Sequence, residues 1–104
     1  MISPVNSVQL SVVIPCFNSE STIEKLLQQL GQQTLASDQY EIIVVDDGSI
    51  DNTEKVVKSI NDNRIVYLKH NYNKHASAAR NTGIAKSKGE FIAFLDDDDQ
   101  WLPK

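Results

Sequence analysis

Three runs of this chain are apolar on both sides of a strand's pleat: Val12-Val13-Ile14, Ile42-Ile43-Val44-Val45 and Phe91-Ile92-Ala93-Phe94-Leu95. A strand with one wet face alternates, whereas a strand covered on both faces reads as continuous apolar sequence. Between these runs lie segments with helical spacing. Leu10 to Ile14 is predicted as a strand ended by Pro15. Ser21-Thr22-Ile23-Glu24 fits a capping box, and Ile23, Leu26, Leu27 and Leu30 then extend a helix to about Gln33. Glu41 to Asp46 is the second strand, and Asp51-Asn52-Thr53-Glu54 starts a helix that buries Val56, Val57 and Ile60. Ile65 to Leu68 is a short third strand. Ala76 to Ser87 is a helix with a small-residue face around Ala79 and Ile84, stopped by Lys88-Gly89, and Phe91 to Leu95 is the fourth strand. Residues 1 to 7 show no period and are expected to form a loose arm. The order β-α-β-α-β-α-β predicts an α/β fold, a parallel sheet of about four strands with right-handed crossovers and helices on both faces. Ligands of such sheets bind outside the carboxyl ends of the strands, at the topological switch point.

Two of those carboxyl ends are acidic. Asp46-Asp47 closes the second strand and Asp96 to Asp99 closes the fourth. Four adjacent carboxylates repel one another, so a positive partner is expected there. Oxygen donors alone suit a hard divalent cation, Mg²⁺ or Mn²⁺, which takes one or two carboxylates and leaves other positions to water and phosphate oxygens. A solvated acidic cap is the plainer alternative. Asp46-Asp47-Gly48-Ser49 is also good turn sequence, with Gly48-Ser49 as the turn. Asp46 and Asp47 project to opposite sides of the strand, so one of them is expected to face a ligand. A carboxylate at that position can accept the imide N–H of uracil.

Pro15-Cys16-Phe17-Asn18 occupies the third carboxyl end. It reads as a strand-to-helix loop in which Asn18 bonds a base or backbone and Phe17 packs beside a ring. Cys16 is expected to be a packing residue, since no cation or helix dipole is evident to activate it. In Ser77-Ala78-Ala79-Arg80-Asn81, Arg80 reads either as a phosphate-binding side chain or as an ordinary surface arginine. His70 and His75 are not spaced as a metal pair and are assigned no catalytic role. Trp101 is expected to pack on the sheet edge.

The 104 residues bound the chain to one domain, and a net charge of −4 disfavours nucleic acid as a partner. The single cysteine permits no intramolecular disulfide. Apolar runs of about five residues fall far short of the roughly 18 that span a bilayer. No signal peptide is recognised.

Taken together, four segments resemble the donor half of an inverting family 2 glycosyltransferase of GT-A, Rossmann-like fold. They are Ser11-Val12-Val13-Ile14-Pro15-Cys16-Phe17-Asn18; Val44-Val45-Asp46-Asp47-Gly48-Ser49 with Asp51 and Thr53; Ala79-Arg80-Asn81-Thr82-Gly83-Ile84; and Gly89-Glu90-Phe91-Ile92 through Asp96-Asp97-Asp98-Asp99 with Trp101. The resemblance implies that Pro15 lines a nucleotide pocket with Phe17, Asn18 and Glu20 nearby, and that Asp47 accepts the uracil N–H. It aligns Asp96-Asp97-Asp98 with the family's Asp-x-Asp motif. Asp97 then faces the ribose and sugar, Asp98 holds Mn²⁺ or Mg²⁺ with Asp96 beside it, and Arg80 sits near the base or phosphates. His75 stands where family members usually carry glycine, a departure expected to crowd its loop.

The implied activity is transfer of a sugar with inversion from a nucleotide donor, a UDP-sugar, to a glycan or lipid-linked acceptor of unknown structure, in polysaccharide biosynthesis. In the family the general base and the acceptor pocket lie in a second half. The chain is therefore expected to be a truncated donor part, residues 1–104, with no catalytic base of its own and no transfer activity alone, and with an exposed sheet edge prone to self-association. The implied location is cytoplasmic, at the inner face of a membrane for the whole protein. Two other readings compete. A receiver-like Mg²⁺-binding signalling domain should carry its acidic pair after the first strand, where this chain has Pro-Cys-Phe-Asn. A nucleotide-binding module without catalysis would keep the same carboxylates. A dinucleotide-dependent oxidoreductase is excluded by the absence of G-x-G-x-x-G.

Overall fold

Residue by residue, Tyr40–Asp46 is buried from end to end, and the rest of the fold is arranged around that strand. In a computed structural model of the chain, which describes residues 8–32 and 39–98, the elements are β1 (Leu10–Cys16), α1 (Ile23–Gly31), β2 (Tyr40–Asp46), α2 (Thr53–Ser59), β3 (Ile65–Lys69), α3 (His75–Lys86) and β4 (Phe91–Phe94). All pairings are parallel and the sheet order is β3-β2-β1-β4. The α/β expectation therefore holds. The loose arm at residues 1–7, the end of the first helix at Gln33, Asp99 and the packing of Trp101 lie outside the described residues.

The two-residue period of the strands divides the core into two layers. Val12, Ile14, Ile42 and Val44 face α1 and α2, packing with Ile23, Leu26, Leu27, Leu30 and Val57. Val13, Ile43 and Val45 face the other way, with Ala79 of α3. The second layer is thin because α3 lies very close to the sheet. A Cβ on Gly83 would stand 2.3 Å from Val13 Cγ1, so only glycine fits there. The expected small-residue face of α3 is real, but Gly83 rather than Ile84 completes it, and Ile84 is 44% exposed.

Four local expectations are corrected. Pro15 does not end β1; it pairs with Val45 within the β1–β2 ladder. The Val13 carbonyl accepts from Leu95 N–H on the β4 side at 3.1 Å. Pro15, two residues on, faces that same side, where the β4 ladder has already stopped at Val13–Phe94. Its missing N–H therefore breaks no ladder bond. Ser21 is not the N-cap of α1: the helix starts at Ile23 after Thr22 with no side-chain cap, and the Ser19 carbonyl takes the N–H groups of Thr22 and Ile23. Gly89 does not cap α3, which ends at Lys86 followed by an extended Ser87. Its role is close approach, since a Cβ there would meet Ser11 N at 2.7 Å, and its N–H bonds Ser11 Oγ at 2.8 Å. Last, β4 is not covered on both faces: Phe91 is 68% exposed, and among the described residues β4 pairs with β1 alone.

Candidate functional site

The strand order places β2 and β3 on one side of β1 and β4 on the other. The switch point is thus between β1 and β4, and a cleft of about 310 Å³ opens at their carboxyl ends. Pro15, Cys16 and Phe17 line it from β1, Asp47 from β2, Asn73 and His75 from the segment entering α3, and Asp96 and Asp97 from the end of β4.

The loop after β1 is held by the loop after β2. Asn18 N–H donates to Ser49 Oγ at 2.7 Å and Ser19 N–H to Thr53 Oγ1 at 2.7 Å. In return Asn18 Oδ1 accepts from Ile50 N–H at 3.0 Å, so this side chain bonds backbone. Asn18 has φ +50, a conformation asparagine tolerates better than most residues. Asp51 accepts from Thr53 N–H at 3.0 Å and from Glu20 N–H at 3.3 Å. Ser19 Oγ donates to Asp97 Oδ2, which ties the end of β4 to the same scaffold.

Asp46 and Asp47 do project to different partners. Asp46, 0% exposed, accepts from Ser49 N–H at 2.8 Å and from the Tyr67 hydroxyl; burial first, and then this carboxylate, push the Tyr67 phenol well above its ordinary value. Asp47, 4% exposed, lines the cleft, and its Oδ1 accepts from His70 Nδ1–H and from Lys74 N–H, each at 2.8 Å. Burial opposes the charge on Asp47, but the bonds from His70 and from the backbone outweigh it and hold the carboxyl below its ordinary range. On its other side, His70 Nε2 is hydrogen-bonded to the Thr82 hydroxyl at 2.8 Å. His70 is therefore a bridge between β2 and α3 behind the cleft. Nothing in its local sequence announced it, because both partners are distant in the chain.

The remaining predicted residues divide. Phe17 is 44% exposed at the cleft. Glu20 has an exposed side chain and contributes its N–H to the scaffold. Arg80 is exposed on α3 and is not among the residues that line the cleft. Asp96 lines the cleft, whereas Asp98 is exposed beyond it. Burial, followed by Asp46 and Asp97, raises the Cys16 thiol to about 12, so it stays protonated as a packing group rather than a nucleophile or soft ligand. Among the described residues no three His, Cys, Asp or Glu side chains are grouped to hold a metal ion. The donors at the mouth of β4 are carboxylate oxygens, which fits a hard cation held by one or two carboxylates and a ligand's phosphates rather than an all-protein cage.

A family model described as Glycosyl transferase family 2 matches residues 11–104. A UDP-Glc:alpha-D-GlcNAc-diphosphoundecaprenol beta-1,3-glucosyltransferase of Escherichia coli is 42% identical over 93 residues, 89% of this chain and 36% of that protein. A GalNAc(5)-diNAcBac-PP-undecaprenol beta-1,3-glucosyltransferase of Campylobacter jejuni is 40% identical over 97 residues, 90% of this chain and 31% of that protein. TarS 1-349 of S. aureus, solved in complex with UDP-GlcNAc, superposes with a TM-score of 0.85 at 33% identity, covering 89% of this chain and 27% of that one. The chain thus spans about a third of the length of the curated relatives it matches. No helix among the described residues is long and apolar enough to cross a membrane.

Proposed function

Because the chain belongs to glycosyl transferase family 2 and has the GT-A fold of its structural neighbours, we propose that it forms the donor-binding part of an inverting glycosyltransferase that uses a UDP-sugar. The observation that carries the reading is the cleft at the β1–β4 switch point, lined by Asp47 on one strand end and Asp96 and Asp97 on another. The receiver-domain alternative needs its acidic pair after β1, which ends in Cys16.

In this reading Asp47, fixed by His70 and Lys74 N–H, accepts the imide N–H of uracil. Pro15 and Phe17 form the wall beside the nucleoside. Asp97, oriented by Ser19, faces the ribose and sugar. Asp96 and Asp98 would hold Mn²⁺ or Mg²⁺ beside the diphosphate. The cation, when bound, supplies Lewis-acid stabilisation of the departing diphosphate. Transfer forms a bond from the acceptor oxygen to the anomeric carbon and breaks the bond from that carbon to the phosphate oxygen. UDP leaves, and the acceptor proton passes to a base that is not assigned to any residue of this chain. Two relatives are glucosyltransferases named for undecaprenol-linked saccharides, and on that ground a lipid-linked saccharide, met at a membrane surface, is the proposed acceptor. The apolar edge of β4, with Phe91 and Phe94 exposed, is proposed to self-associate.

Titration calorimetry of UDP in Mn²⁺ and in excess chelator tests the reading. Tighter binding in Mn²⁺ is expected, and equal affinity in both removes the metal bridge. UDP is expected to bind more tightly than ADP, because adenine offers Asp47 no imide N–H. Equal affinity for the two removes the uracil assignment.

A further inference from the structure

We propose that His75 is a ligand-contacting residue of the cleft, donating an imidazole N–H to the diphosphate of the bound nucleotide. The inference rests on the reading of the cleft as a nucleoside-diphosphate site. It is carried by the backbone at residue 75 together with the make-up of the cleft wall.

His75 has φ +76, in the left-handed region that glycine enters freely and that histidine enters only at some cost. The fold dictates that conformation. Lys74 N–H is bonded to Asp47 Oδ1 at 2.8 Å, and His75 N–H to Asn73 Oδ1 at 2.9 Å. Just before them, the backbone of Tyr72 and Asn73 lies so near Gly48 that a Cβ there would be 2.7 Å from the Tyr72 carbonyl carbon. Just after them, α3 is seated against β1 by the contact of Gly83 with Val13. The segment is pinned on both sides, so residue 75 has no room to relax. Strained side-chain-bearing residues persist where surrounding structure over-determines them, and they concentrate at ligand clamps.

The side chain held in this way is on the cleft wall with Asp47, Asp96 and Asp97. A diphosphate entering that cleft meets carboxylates, which repel it. Of the lining residues, Asn73 and His75 alone carry a side-chain N–H, and the imidazole is the one that can also carry positive charge. Cys16, the remaining protonated group, is a weak donor. His75 thus supplies what the acidic wall lacks, and the backbone strain is the structural cost of placing it there.

The test uses His75→Gly and His75→Asn, with UDP in Mn²⁺ followed by calorimetry, uridine by NMR titration, and thermal melting of each protein. His75→Gly relieves the left-handed strain, so its melting temperature is expected to be equal or higher. Its UDP affinity is expected to fall about tenfold or more, the scale of a lost hydrogen bond to a charged group, with uridine unchanged. His75→Asn tolerates the same backbone conformation but has a shorter side chain without the imidazole, and is expected to lose UDP to the same degree. Unchanged UDP affinity in His75→Gly overturns the inference while leaving the nucleotide reading in place. Wild-type affinity in His75→Asn alone overturns it too, because the glycine effect would then be loop freedom. Equal losses for UDP and uridine move the contact to the nucleoside and overturn the diphosphate assignment. No UDP binding by the unmutated chain removes the nucleotide reading and this inference with it.

Discussion

The two acidic strand ends differ in what they are bonded to. At the end of β2, Asp46 and Asp47 are buried, and their carboxylates take N–H and O–H donors from β3, the segment between β3 and α3, and the turn at Ser49. After β4, the side chains of Asp96 and Asp98 are exposed, and Asp97 accepts from Ser19 of the loop after β1. The difference follows from sheet position. β2 has neighbours on both sides, so its carboxyl end is enclosed by protein that can satisfy a charge, whereas β4 pairs with β1 alone among the described residues. The same residue type thus stands in two settings: the β2 carboxylates are enclosed by protein donors, and the side chains of Asp96 and Asp98 at the end of β4 reach solvent.

The sharpest way to break that contrast is Asp46→Ala. It leaves the buried Ser49 N–H and the Tyr67 hydroxyl without an acceptor. An orphaned buried N–H costs about 1–3 kcal/mol and the half-buried hydroxyl adds a smaller share, so the fold should lose about 3 kcal/mol. Urea unfolding measures it. A loss no larger than that of Asp98→Ala would show that burial does not separate the two clusters.

Asp47→Asn should have a smaller effect, with a signature in acid. The folded-state carboxyl lies below its ordinary value of 3.8. Its contribution is therefore fully present above that pH and is lost as pH falls through the lowered folded value. The wild type should lose stability in this acid range more steeply than Asp47→Asn, while near neutrality the variant should be weaker by about 1 kcal/mol through loss of charge assistance. Acid sensitivity should not vanish, because Asp62 is also held low by its bond from Arg64. Parallel acid melting curves for wild type and variant would remove Asp47 as a source of the slope.

The same contrast explains what could be read from the sequence. The continuous apolar runs of β1 and β2, the carboxylates that close β2 and the parallel order were legible, because each is written in adjacent residues. So was the turn at Gly48, whose φ of +84 demands glycine. The misreadings came from contacts between segments far apart in the chain. Pro15 stays in β1 because of where the β4 ladder stops. Ser21 loses the cap to the Ser19 carbonyl, itself part of a loop fixed through Thr53. His70 bridges Asp47 and Thr82, partners that local spacing does not pair. β4 looked as buried as β2, since an apolar run states what a strand prefers to meet and not whether the described residues cover it.

The smallest expected effect on stability is that of Asp98→Ala, and it sharpens the comparison most for function. Asp98 is exposed and follows the last residue of β4 that pairs. Truncating an exposed side chain away from such packing usually shifts stability by within about 0.5 kcal/mol. Removing one of several neighbouring carboxylates also relieves repulsion, so a slight gain is as consistent as a slight loss. UDP affinity in chelator should likewise be unchanged, since two anions gain nothing from proximity. The increment that Mn²⁺ adds should shrink, because the proposed bridge loses one of its carboxylate anchors, with Asp96 left to hold the cation. Calorimetry of wild type and variant, each with and without Mn²⁺, separates these terms as a double difference. An unchanged Mn²⁺ increment alongside unchanged stability would leave Asp98 with no role in either cluster's work and shift the metal assignment to Asp96.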